Sequence, residues 1–197
     1  MVCGAGDGDS DAGVISMRRV FVERQSLYRG KFLELATRGK WEFVRRVNAE
    51  GNSPSAVGIV AVTADRRMVL ITQLRVPVGR VCVEIPAGLV GDTSTKEGWK
   101  GAALRELREE TGYAAEDMEF LTEGPTSAGL TDECIRMVRA IGVRQAGAPE
   151  PDGDEQIEVF AVPLQDVEGF LHRRRVEGKL IDPKVYAAFY FAGAVRY

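Results

Sequence analysis

The sequence predicts an α/β domain, a mixed β-sheet sandwiched between helices, preceded by an N-terminal antiparallel β extension. Three observations predict it. Short β-branched and aromatic runs fill the first half of the chain, helical patterns recur in the second, and 197 residues at 45% hydrophobic content suffice for one full core. The strand and helix signals are mixed along the chain, which argues for a sheet covered on both faces.

Taken in order, residues 1–14 are small, acidic and Gly-rich, and predict a disordered N-terminus. Residues 15–50 predict the β extension, with strands over 17–23, 32–36 and 41–47 broken by Gly30 and by 38-RGK-40. The main domain is then expected over 51–197. Within it, 56-AVGIVAV-62 and 68-MVLITQLR-75 flank the polar turn 63-TADRR-67 as a buried hairpin would. Further strands are predicted over 81–84, 119–122, 135–143 and 157–164, and helices over 167–176 and 183–194. Asp182-Pro183 starts the last helix well, as an N-cap followed by proline at the first helical position.

Composition removes several function classes. A net charge of −3 supplies no basic field for a sequence-independent grip on nucleic acid or anionic lipid. Three cysteines (Cys3, Cys82 and Cys134) form no short paired spacing, which argues against a disulfide framework or zinc site and for a reducing, cytoplasmic setting. No apolar run approaches the roughly 20 residues of a membrane span. The single histidine, His172, lies in 172-HRRR-175 at a predicted helix end, where a solvated basic terminus is the expected reading; this argues against a Ser-His-Asp triad and leaves too few imidazoles for a multi-histidine metal site. If the chain is an enzyme, carboxylates are expected to carry its acid, base and metal chemistry.

One helix concentrates them. In 99-WKGAALRELREETGY-113, Trp99, Ala102, Ala103, Glu106 and Glu110 fall on one stripe at 100° per residue, so the acids share the face that should be buried. A like-charge pair at i,i+4 costs a few tenths of a kcal/mol even when exposed. Arg105 pairs naturally with Glu109 but projects away from the Glu106–Glu110 stripe, so the compensating charge is expected from a divalent ion. Hard oxygen ligands suit Mg²⁺ or Mn²⁺.

Gly91, five residues, Glu97, seven residues, 105-REL-107, one residue, 109-EE-110, one residue and 112-GY-113 together resemble the Nudix box. The runs 73-QLRVPVG-79, 84-EIPAGLVGD-92, 126-TSAGLTDE-133 and 155-EQIEV-159 are similar to the Nudix branch that hydrolyses ADP-ribose and related nucleoside diphosphate sugars. Relatives usually carry proline where this chain has Ala128. They also open the box with the glycine of Pro-Ala-Gly. The segment 88-GLVGDTSTKE-97 is therefore expected to be a loop lengthened by three residues, with Gly88 the structural equivalent of that glycine.

The resemblance implies a Nudix fold, two or three Mg²⁺ or Mn²⁺ ions, and metal ligation by Glu106, Glu109, Glu110 and the carbonyl of Ala87. It implies that Arg105 orients the acidic cluster and that Glu155 serves as catalytic base, with Asp154 or Asp152 as substitutes if the loop is shifted. Arg46 and Arg75 are candidates for the phosphates because guanidinium forks suit phosphate oxygens, with solvated surface arginines as the competing reading. The resemblance points to Trp41 and Phe32 as rings that clamp a purine from two subunits of a homodimer. Ordinary strand packing is the competing reading of both rings. Glu42, Leu89 and Ser127 match further ligand-contacting positions. The implied reaction is metal-dependent cleavage of ADP-ribose to AMP and ribose 5-phosphate; a GDP- or UDP-hexose is the alternative substrate, and a ligand-sensing module without catalysis is the reading from another class.

Overall fold

A computed structural model describes residues 22–47, 56–91, 97–150 and 156–194. The N-terminal layer is an antiparallel sheet of three strands, β1 (Arg24–Arg29), β2 (Leu33–Arg38) and β3 (Trp41–Arg46), in the order β1-β2-β3. Of the strand expected over 17–23, residues 17–21 lie outside the described residues. Val22 and Glu23 are not in a strand; pairing starts at Arg24 because the turn closed by Gly30 N–H on Leu33 carbonyl (2.8 Å) sets the register back from β2.

Two four-stranded sheets build the main body. One has the order β7-β4-β10-β9, from β4 (Ala56–Val60), β7 (Ala87–Leu89), β9 (Asp117–Pro125) and β10 (Cys134–Ile141). The other has the order β12-β5-β6-β13, from β5 (Arg67–Arg75), β6 (Arg80–Glu84), β12 (Ile157–Pro163) and β13 (Leu180–Ile181). Both are mixed, since β4 runs parallel to β10 and β6 parallel to β13. A short pair, β8 (Tyr113–Ala114) with β11 (Arg144–Gln145), closes the region beside the first helix.

The expected hairpin of 56–62 with 68–75 does not form as one. Only a bridge at Val62 and Met68 and the Val69 N–H to Ala61 carbonyl bond (2.9 Å) join the two runs. Every residue of β4 is buried, so its apolar demand is met on both faces, and the chain turns out of one sheet into the other. β4 finds its neighbours in β10 and β7, and β5 finds them in β6 and β12.

Side-chain alternation along these strands explains the sandwich. Val57, Ile59, Ala61 and Val69 pack with Ala102, Ala103 and Leu107 of α1 (Trp99–Thr111). The opposite parity, Val60, Met68 and Leu70, packs with Phe170 and Leu171 of α2 (Val167–Val176) and with Val185, Ala188 and Ala192 of α3 (Pro183–Ala194). α3 starts as the sequence predicts, with the Lys184 N–H donating to the Asp182 carboxylate at 2.7 Å. No helix among the described residues is long and apolar enough to cross a membrane.

Candidate active site

α1 ends at Gly112, whose φ of 71° is left-handed and whose N–H donates to the Arg108 carbonyl. A Cβ there would also stand 2.4 Å from the carbonyl oxygen of Gly147, so both conformation and space require glycine. This stop fixes the rotation of the helix and directs its acidic stripe toward β7. Glu110 is buried at 6% exposure and accepts the Ala87 N–H at 2.9 Å. Gly88 lies so close to the Glu106 carboxylate that a Cβ at position 88 would push that carboxylate aside. Ala87–Leu89 is thus a strand paired with Ala56–Gly58, not part of the loop expected from 88 onward, and residues 92–96 of that loop lie outside the described residues.

Arg105 turns out to reach the stripe. Its guanidinium donates to Glu97 (3.1 and 3.3 Å) and to Glu109 (2.9 Å), and pairs with Glu106 at 2.8 Å. The expectation that it projects away from Glu106 fails because the long side chain spans the angle its Cβ direction leaves. Burial opposes the charge of Arg105, but its hydrogen bonds to Glu97 and Glu109 and the nearby Glu106 outweigh it and hold the group even more firmly protonated than usual.

A cleft of about 430 Å³ opens over this helix face. Glu106, Glu109, Glu110, Ala87, Leu89, Arg46 and Arg75 line it together, so seven of the residues singled out from the sequence meet at one place. Arg75 makes a two-pronged bond to buried Glu84 (2.7 and 2.6 Å), and Arg46 donates to Glu133 at 2.7 Å. Glu84, Glu133, Thr126 and Lys184 also line the cleft and were not singled out. Glu84 lies in the run 84–92 and Thr126 and Glu133 in the run 126–133, so the sequence carries a signal for them; Lys184 has none beyond its place in the first turn of α3.

The remaining residues fall elsewhere. Trp41 (65% exposed) and Glu42 line a neighbouring cleft of about 290 Å³ with Ala128, Gly129 and Asp132. Phe32, 67% exposed and under the Lys31 ammonium, sits before the opposite end of β2. One protomer therefore does not bring the two rings together. Ser127 turns the chain, its carbonyl accepting the N–H groups of Leu130 and Thr131 (2.9 and 3.0 Å). The Val44 N–H to Leu130 carbonyl bond (2.8 Å) ties β3 to that loop. Glu155, Asp154 and Asp152 lie outside the described residues.

The donor set fits a hard divalent cation, since the carboxylates and the backbone at Ala87 offer oxygen only. As the side chains are placed, no three acidic, histidine or cysteine residues among the described ones enclose a single point. Glu106 and Glu109 are turned to Arg105, and Glu110 to Ala87.

Residues 52–188 match the NUDIX domain family, and the chain belongs to that family. It is 36% identical to the methanol dehydrogenase activator of Bacillus methanolicus over 62% of this chain and 65% of that protein. It is 32% identical to the ADP-ribose pyrophosphatase of Bacillus subtilis over 82% of this chain and 87% of that protein. A solved structure, described as the crystal structure of ADP compounds hydrolase, superposes with a TM-score of 0.57 at 20% identity, covering 80% of this chain and 93% of that one. That likeness supports the fold. The α/β Nudix architecture and the class of Nudix hydrolase expected from the sequence stand, and Nudix hydrolases generally use divalent metal ions.

Proposed function

We propose that the chain hydrolyses the diphosphate bond of ADP-ribose to AMP and ribose 5-phosphate. The observation that carries this reading is the cleft in which Glu106, Glu109 and Glu110 face Arg46 and Arg75. Acids for a metal and guanidinium groups for phosphate oxygens stand in one place. The extent of the similarity to the Bacillus subtilis ADP-ribose pyrophosphatase, well beyond the box, supports the substrate.

Glu106, Glu109 and Glu110, with the Ala87 carbonyl, would hold two or three Mg²⁺ or Mn²⁺ ions. Bound there, such ions supply charge neutralisation for the diphosphate and acidify water. Arg105 holds Glu97, Glu106 and Glu109 in register. Glu84 and Glu133 hold Arg75 and Arg46, so the two forks meet the phosphates at little cost in side-chain freedom. Glu155 is proposed as the base that takes the proton of the attacking water. The bond broken is the P–O link between the two phosphoryl groups.

A homodimer and a cytoplasmic location belong to the same proposal. The exposed Leu27, Tyr28, Phe32 and Trp41 of the N-terminal sheet support the dimer, and its partner is a second copy of this chain. Residues 15–50 then serve as an extension to the Nudix domain at 51–197. A hydrolysis panel of ADP-ribose, UDP-glucose and GDP-mannose with Mg²⁺ or Mn²⁺ tests the function. The expected result is the highest kcat/KM for ADP-ribose and loss of turnover with a chelator. Preference for a hexose nucleotide overturns the substrate, and no turnover of any of the three overturns the reaction.

A further inference from the structure

We infer that Lys184, from the first turn of α3, is a diphosphate-binding residue of this cleft. The inference rests on the reading that the cleft takes a nucleoside diphosphate sugar. Eight ionisable side chains line it: the cations are Arg46, Arg75 and Lys184, and all five acids are glutamates. The cleft as a whole is therefore acidic, and a substrate with two phosphates needs every cation it can reach.

The three cations differ in where their counter-charge sits. Arg75 is bonded to Glu84 and Arg46 to Glu133, and both glutamates themselves line the cleft. A phosphate that approaches either guanidinium meets a carboxylate beside it. Lys184 pairs with Asp182, two residues earlier in the same turn, and Asp182 does not line the cleft. That carboxylate is already engaged by the Lys184 backbone N–H, so the cap survives if the ammonium turns away. The ion pair is partly exposed, with side chains at 30% and 20%, and such pairs are worth little. An ammonium has three donors on a flexible stem. Lys184 thus lines the cleft while its negative partner does not, so an ammonium that swings off Asp182 adds positive charge there with no carboxylate beside it. It reaches the cleft from the sheet side that carries Arg75 and Glu84, whereas Arg46 comes from the N-terminal sheet, so the two ends of a diphosphate are met from two directions.

The test uses the full chain with Lys184→Met and Lys184→Arg. Steady-state kinetics are measured on the best substrate of the panel, and binding of inorganic pyrophosphate with Mg²⁺ is measured by calorimetry. Loss of a charge-assisted hydrogen bond is worth roughly a 10- to 100-fold change in binding. Lys184→Met should raise KM and weaken pyrophosphate by about that factor, with kcat within about threefold and the melting temperature unchanged; Lys184→Arg should recover most of the loss. Unchanged KM and pyrophosphate affinity in folded Lys184→Met overturn the assignment, as does a loss confined to kcat. Should the wild type hydrolyse nothing in the panel, the proposed function falls, while weaker pyrophosphate binding by the variant still supports Lys184. Should Lys184→Met fail to fold, Lys184→Arg with wild-type binding beside Lys184→Gln with weakened binding decides the case.

Discussion

Gly88 packs directly against the carboxylate of Glu106: a Cβ at position 88 would stand 1.9 Å from the Glu106 Cδ and 2.0 Å from its Oε1. The obstructing atoms belong to the far end of a flexible side chain, so an added methyl displaces that carboxylate without breaking the strand. Gly88→Ala is therefore expected to lower kcat about 10-fold or more while the melting temperature moves little. A variant with normal turnover would show that the position of Glu106 is not critical.

Glu106→Gln and Glu110→Gln should each reduce kcat by about 10² or more, since each removes a charge from the face proposed to hold metal. The sequence alone suggests that either change relieves like-charge repulsion and leaves stability intact or raised. The structure changes that expectation. Glu106 is paired with Arg105, and buried Glu110 accepts the Ala87 N–H, so each substitution replaces a charge-assisted contact with a neutral one. Thermal melts without metal should show no gain for either, and a loss on the order of 1 kcal/mol for Glu110→Gln.

Trp41→Ala should raise KM for ADP-ribose several-fold with kcat nearly unchanged, because stacking of a remote base is mostly uniform binding. Within one protomer Trp41 and Phe32 lie near opposite ends of β2, so a clamp from both rings requires two subunits. Sedimentation should give a dimer at micromolar concentration. A fully active monomer would remove the shared-site reading.

The acid limb of stability should depend on Glu34. The Ser26 hydroxyl hydrogen bond, opposed by burial and aided by Arg24 and Arg45, holds this carboxyl below its ordinary 4.5. A depressed carboxyl contributes stability that is fully present above the unfolded value and is lost as pH falls through the folded one. The wild type should exceed Glu34→Gln in urea midpoint near neutral pH, and the gap should narrow below about pH 4.5. A gap independent of pH would show that the ion pair with Arg24 plays no part.

The glutamate helix was legible because its information is local: a spacing of four places Glu106 and Glu110 on one stripe, whatever packs against it. Helices over 167–176 and 183–194 were legible for the same reason, and both appear with those bounds. What the sequence concealed is pairing across distance. Arg46 and Glu133 are 87 positions apart, and nothing local in either run links them. The supposed hairpin of 56–62 and 68–75 failed because β4 and the buried centre of β5 each need neighbours on both edges, a demand invisible in either alone. β7, β8, β11 and β13, at two or three residues each, are too short for any period to register.

The turn where β4 leaves one sheet and β5 enters the other offers a practical handle. β4 begins with Ala56 in the cleft and runs away from it, so Thr63 lies seven residues farther along, on the order of 20 Å from the chemistry. The turn is closed within itself by the Thr63 N–H to Arg67 carbonyl and Arg66 N–H to Thr63 carbonyl bonds, both 2.9 Å, and Asp65 at its tip is exposed. A dye or a surface tether attached at Asp65 would report on or immobilise the molecule from its far pole, leaving the mouth of the cleft and the N-terminal sheet open to solution.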